Sequence, residues 1–149
     1  MEPATGPQAK VALRGPHGEV ETLWAHALGD DLYALDNLPW YAYGVSLGDV
    51  IEARPDAAGQ LWLERVVRKS GNRTIRVILE ADEGGDLSVE SRRMLDRVRE
   101  IGCSYEGANR RLVAVNVPPG IELADVAAVV NASGLDWEYA DPTYEELFP

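Results

Sequence analysis

At Ser70-Gly71-Asn72 the hydrophobic pattern of this chain changes period, and that change divides the expected fold in two. Ahead of it, residues 10–69 read as brief strands cut by turn residues, with no helical repeat. They run KVALR, the turn GPHG, EVETLWAHAL, the turn GDD, LYAL, an aromatic stretch, VIEAR, the turn PDAAG and LWLERVVRK. Short apolar runs bounded by Gly, Pro and Asp are the pattern of strands joined by tight turns. Strands this apolar would leave adhesive edges in an open sheet, so a small, strongly curved antiparallel barrel is expected.

Beyond residue 72 strands alternate with helices. TIRVILE (74–80) reads as a strand and DEGGD as a loop. Leu87, Ser91, Met94, Leu95, Val98 and Ile101 then recur at helical spacing up to Gly102, with Asp86 or Ser88 as the N-cap. CSYEG and RLVAVNV follow as strands joined by a turn at Ala108, Asn109 and Arg110. A second helix carries Leu123, Val126, Ala127 and Val130 on one face and ends at Gly134 before LDWEYA. The order is βαββαβ, and it contains an echo: IGCSYEGA (101–108) and SGLDWEYA (133–140) each set a helix-ending glycine three residues before an aromatic and a glutamate. Two βαβ halves related in this way predict a ferredoxin-like sandwich, two helices on one face of a four-stranded antiparallel sheet. Apolar residues on both faces of RLVAVNV favour some cover for the second face as well. The expected chain is therefore α+β: a flexible segment over 1–9, a barrel subdomain over 10–69, a linker at 70–73, and a ferredoxin-like subdomain over 74–149 with an acidic carboxyl-terminal tail.

Composition narrows the function classes. The formal charge is −11, and after Arg111 seven acids occur without one Lys or Arg. Such a face repels nucleic acid phosphates and suits a basic protein partner. No apolar run is long enough to span a bilayer, and MEPATGPQAK lacks the core of a secretion signal, so a cytoplasmic protein is expected, with no membrane partner. The single Cys103 allows no intrachain disulfide and no cysteine metal cluster, and reads as a small buried hydrophobe.

No complete catalytic or metal motif is present. His17, in a turn, and His26, in a strand, have no ligand partners at useful spacing, and neither a nucleophile elbow nor a phosphate loop occurs. No metal, cofactor or catalytic residue is expected. Carboxylates are plentiful, but spacing singles out no acid and base pair; Asp36, Asp49 and Glu52, near the aromatic stretch, are the least arbitrary. Asp36 also reads as a turn former with Asn37, and Asp49 as the turn before a strand. In RVVRKSGNRTIR (65–76), amides around Gly71 with Ser70, Asn72 and Arg73 could hold a small anion or carboxylate. The same residues also read as the linker, with the arginines on a solvent face or paired to acids.

The stretch DNLPWYAYGVSLGD (36–49) is the most unusual. Pro39 cannot donate to a ladder, so this is not the middle of a central strand. Trp40, Tyr41 and Tyr43 fall in a loop, Gly44 permits a bend, and Val45, Leu47 and Val50 return to the core. A flap capping the barrel is one reading; a recognition surface built on exposed Trp and Tyr is the other.

DNLPWYAYGVSLGDVIEA, together with SGNRTIRVIL, resembles the bacterial family catalogued as domain of unknown function 4265, from about residue 10 to about residue 145. The positions matching its two motifs are Asp36, Asn37, Pro39, Tyr43, Gly44, Asp49, Ser70, Gly71 and Arg73; Asn72 stands where histidine is frequent. The resemblance implies the domain limits and carries no activity, substrate or cofactor.

Three expectations follow. The first is a non-catalytic acidic module, of the immunity or antitoxin kind, that engages a protein partner through the aromatic flap and the acidic carboxyl-terminal face. The second is a small-molecule sensor or enzyme with a pocket between the two subdomains, lined by Asp36, Asn37, Tyr43, Asp49, Ser70 and Arg73. The third is a homodimer formed through an open sheet face or edge.

Overall fold

A computed structural model of the chain describes residues 6–107 and 111–149. Residues 1–5 of the segment expected to be flexible, and the turn expected at Ala108, Asn109 and Arg110, lie outside the described residues. The chain forms two compact units, the first ending at Asn72 and the second beginning at Arg73.

The first unit has five strands: β1 (Gln8–Arg14), β2 (Val20–Gly29), β3 (Leu32–Leu35), β4 (Val50–Pro55) and β5 (Leu61–Arg68). β1 starts inside the segment expected to be flexible, because Gln8 and Ala9 already pair with His26 and Ala25 of β2. In β2, inward Glu21, Leu23 and Ala25 alternate with outward residues, the period-2 pattern of a half-buried strand. The β2–β3 hairpin turns on Asp30 and Asp31, both at positive φ (56° and 64°). Two such residues in a two-residue turn supply the twist that adjacent strands need. Each strand is antiparallel to the next, and β5 then returns to β1. That last pair is parallel, whereas an all-antiparallel ring was expected. The reason is parity: with five alternating strands, the first and the fifth must run the same way. Val11, Leu13, Leu23, Leu35, Ile51 and Ala53 fill the interior.

The second unit is a four-stranded antiparallel sheet with helices α1 (Val89–Ile101), α2 (Leu123–Ala132) and α3 (Tyr144–Leu147). Its strands are β6 (Arg73–Ile78), β7 (Ser104–Gly107), β8 (Leu112–Val117) and β9 (Asp136–Asp141), in the spatial order β7-β8-β6-β9. Ile75, Val77, Val113, Val115 and Val117 pack with Met94, Leu95 and Val98 of α1 and with Val126 and Val130 of α2. Fully burying each such side chain is worth about 1.5–3 kcal/mol. Thr74, Arg76, Ala114 and Asn116, on the alternate phase of β6 and β8, are buried as well, so both faces of the central strands are closed to water.

Both ends of β6 differ from expectation. β6 begins at Arg73, which the sequence placed in the linker, and ends at Ile78, so Leu79 and Glu80 have left the ladder. Ser88, not Asp86, caps α1 by accepting from the Ser91 amide. The repeated glycines behave as expected at both helix ends, Gly102 at φ 118° and Gly134 at φ 79°. The residues after them are equivalent too: Cys103 and Leu135 are buried, and Tyr105 and Trp137 pack at the core margin on the two edge strands. α3 replaces part of the expected tail. Thr143 and Glu146 form a reciprocal capping box that satisfies its first amides. No helix among the described residues is long and apolar enough to cross a membrane.

Candidate functional site

Residues 36–49 form the long connection between β3 and β4, with no regular structure, and two buried carboxylates fasten it. Leu38, Ala42 and Val45 are buried, with Ala42 and Val45 in the interior of the first unit, while Trp40 and Tyr41 are half-buried and Tyr43 is exposed. The successive amides of Trp40, Tyr41 and Ala42 each donate to the Glu21 carboxylate at 2.8 Å. Consecutive amides converging on one point make an anion site. Here the anion is the protein's own side chain, buried at an inward position of β2.

The second fastening is Asp49, which is fully buried. Its oxygens accept from the Ser46 amide at 2.9 Å, the Ser70 amide at 2.8 Å and the Lys69 ammonium at 2.5 Å. Lys69 also reaches the Gly44 carbonyl at 3.1 Å. The Ser70 hydroxyl and the Asn72 side-chain amide both donate to the Leu47 carbonyl, and the Ser70 hydroxyl in turn accepts from the Asn72 amide. Gly48 sits at φ 81°, and a Cβ there would stand 3.2 Å from the Ser70 Cβ, so glycine is needed for this approach.

Of the residues expected to bind, then, Asp49, Ser70 and Asn72 do come together, but as a clamp. Asp49 has no surface to offer a ligand, and the Ser70 and Asn72 amides that were to cradle an anion are already bonded internally. Gly71 supplies the exposed left-handed turn between them, at φ 96°. Asn37 accepts from the Trp24 amide at 2.8 Å. Asp36 is exposed and lies 3.2 Å from His26 Nε2, so both act in local bonding. Glu52 is bridged by Arg54 and Arg65, and the Arg54 hydrogen bond is the leading cause that holds its carboxyl below the ordinary value.

Arg73 belongs to the second unit and is committed through Nη2, while its buried Nε has no partner. Its guanidinium donates to the carbonyls of Pro118 and Ile121, holding the β8–α2 connection, which leaves less of it for an anion. Arg73→Met is expected to lower the stability of the full chain to urea by about 1–3 kcal/mol, measured as a shift in unfolding midpoint at unchanged slope. Cys103, buried in the same unit, has its thiol pushed up by desolvation, with Arg73 pulling weakly the other way. Less thiolate at a given pH means slow capture by a disulfide reagent at neutral pH and full, rapid capture in denaturant. Rapid stoichiometric capture in the native state would contradict the burial.

The second unit also carries an exposed aromatic cluster, where the sequence already concentrates Trp and Tyr over residues 137–144. Trp137 and Tyr139 of β9 meet edge to face at 4.9 Å, Tyr139 contacts Tyr144 and Phe148, and those two lie 4.9 Å apart. Tyr144 and Phe148 remain 59% and 55% exposed. Asp136, Glu138, Glu145 and Glu146 are exposed on the same segment. The capping box places the two outer rings, and it is readable in the sequence as Thr143 followed three residues later by Glu146.

The family model described as "Domain of unknown function (DUF4265)" matches residues 21–138. The chain belongs to this family. The matched span begins at Glu21 and takes in both buried carboxylates and the loop they fasten. No curated protein matches the sequence. Among solved structures, one described as "Novel crystal structure of a hypothetical protein from Neisseria gonorrhoeae" is similar at a TM-score of 0.73 and 16% identity, covering 96% of this chain and 99% of that one. At that identity the likeness concerns the fold.

Proposed function

We propose that this DUF4265 chain is a non-catalytic, cytoplasmic binding module whose acidic, aromatic carboxyl-terminal face engages a basic protein, in the manner of an immunity or antitoxin protein. On this reading the first unit is a small β-barrel, as its returning strand pairing suggests, and the second a ferredoxin-like sandwich, as the order β7-β8-β6-β9 suggests. The carrying observation is the cluster of Tyr139, Tyr144 and Phe148, with more than half of each outer ring in water, on a segment that bears acids and no cation. Exposed aromatics supply anchors, and a surrounding single-sign field supplies partner choice and association rate. Against a catalytic role stands Asp49, the buried carboxylate of the family motif, which is bound on both oxygens by the chain itself.

The test is capture from native lysate at low and high salt with the parent chain, a Tyr144→Ser/Phe148→Ser variant and a Glu145→Lys/Glu146→Gln variant. The proposal expects a basic protein retained by the parent, released by salt, and lost to both variants. Retention of the same partner by both variants would overturn it. Tyr43, exposed on the fastened loop, is the second anchor on this reading, and Tyr43→Ala is expected to weaken capture less than the double aromatic change does.

A further inference from the structure

The ladder that joins β5 to β1 pairs only Val11 with Leu61 and Ala12 with Trp62. Both strands continue, β1 to Arg14 and β5 to Arg68, but not as partners. Where the pairing stops, a cleft of about 580 Å³ opens in the first unit. That volume lies within the range that suits a small-molecule ligand. Its apolar lining comes from Leu13, Leu63 and, on the fastened loop, Ala42 and Val45, with Tyr43 beside them.

The charged residues of its lining are one cation, Arg14, and two acids, Asp56 and Glu64. Arg14 and Glu64 lie two residues beyond the last pair, Ala12 and Trp62, each on the same strand face as its paired neighbour, since side chains two apart in a strand share a face. Both line the cleft, both are exposed, and they form no ion pair with each other. Arg14 instead lies flat on Trp62, its guanidinium carbon 4.3 Å from the ring centroid. The indole is fixed in turn, because its N–H donates to Asp56 at 3.0 Å, and that carboxylate also accepts from the Ala58 and Gln60 amides. A guanidinium stacked by its face keeps its edge N–H groups for a planar carboxylate. Across the split, Glu64 offers an acceptor of opposite charge.

We propose that this cleft binds a free α-amino acid with an apolar side chain, its carboxylate on Arg14, its ammonium on Glu64, and its side chain against Leu13, Leu63 and Val45. Asp56 is committed to the indole and two amides, so a zwitterion uses the remaining two lining charges, Arg14 and Glu64, and it carries no net charge, so the chain's overall charge of −11 does not oppose it as it would a plain anion. The site lies wholly within the first unit and does not depend on the protein-binding reading above.

The experiment titrates L-leucine and L-phenylalanine into the full chain and follows the Trp62 indole N–H by two-dimensional NMR. N-acetyl-L-leucine, which lacks the ammonium, and L-leucinamide, which lacks the carboxylate, serve as controls. A saturable Trp62 shift with the amino acids is expected, weakened about tenfold or more by either control and by Arg14→Gln or Glu64→Gln. Glu64 is exposed, so Glu64→Gln is expected to keep the parent melting temperature, while Arg14→Gln, which loses the stack on Trp62, is expected to lower it by no more than a few degrees. Three results would each overturn the proposal: no saturable shift at millimolar amino acid, controls that bind as tightly as the amino acids, or a shift indifferent to both substitutions.

Discussion

Asp49→Ala is expected to destabilise the protein by about 3–5 kcal/mol, the range for removing one member of a buried, hydrogen-bonded ion pair. The side chain has no surface, and its two oxygens accept from two backbone amides and one ammonium. Truncation leaves the Ser46 and Ser70 amides without their acceptor and Lys69 without its counter-charge. Asp49→Asn preserves volume but replaces one acceptor by a donor facing a donor, so it is expected to be nearly as costly. Lys69→Met removes the partner whose side chain is 46% exposed, and the two amides still stabilise the carboxylate, so its cost is expected to be the smallest of the three. Urea unfolding of the three variants measures the order. A cost below about 1 kcal/mol for Asp49→Ala, the range of an exposed ion pair, would show that Asp49 is not the fastening described.

The fold was legible wherever one physical rule acted alone. The chain divides between Asn72 and Arg73, next to the period change at residues 70–72, and the glycines at 102 and 134 marked both helix ends because only they take a left-handed cap without strain. The parallel β1–β5 pair was readable too, though only by counting strands rather than by reading any of them. The site was less legible, because the rule that acids lie outside competes with strand phase. Glu21 stands in phase with Leu23 and Ala25, and that phase was the signal that its carboxylate points inward. Asp49 follows a loop with no period, so nothing local announced its burial. Arg73 was read as linker because its role depends on carbonyls 45 and 48 residues away. Arg14 and Trp62 meet only across the short seam, and no spacing in the sequence could have joined them.

Glu21→Ala is expected to cost about 3–4 kcal/mol, since three amides lose a charged acceptor at once and single hydrogen bonds to charged groups are worth about 1.5–3 kcal/mol without full additivity. Glu21→Gln keeps one carbonyl oxygen and is expected to recover about half of that loss. The local consequence is sharper than the global one: hydrogen exchange at the Trp40, Tyr41 and Ala42 amides should accelerate in Glu21→Ala before the strands open, because these amides are held by that side chain. Exchange at the three amides that stays as slow as in the parent would contradict the assignment. The two fastenings also flank one residue. The Ala42 amide is held by Glu21 and the Gly44 carbonyl by Lys69, itself anchored on Asp49, so the backbone on either side of Tyr43 is fixed. Loosening either end should therefore move Tyr43 and the adjoining wall of the cleft. Because both changes release the same loop, Glu21→Ala and Asp49→Ala combined should cost less than their sum, by about 1 kcal/mol or more, the coupling expected of neighbours that share one structural element. Strict additivity would mean that residues 36–49 are held as two independent halves, and Tyr43 would then owe its position to only one of them.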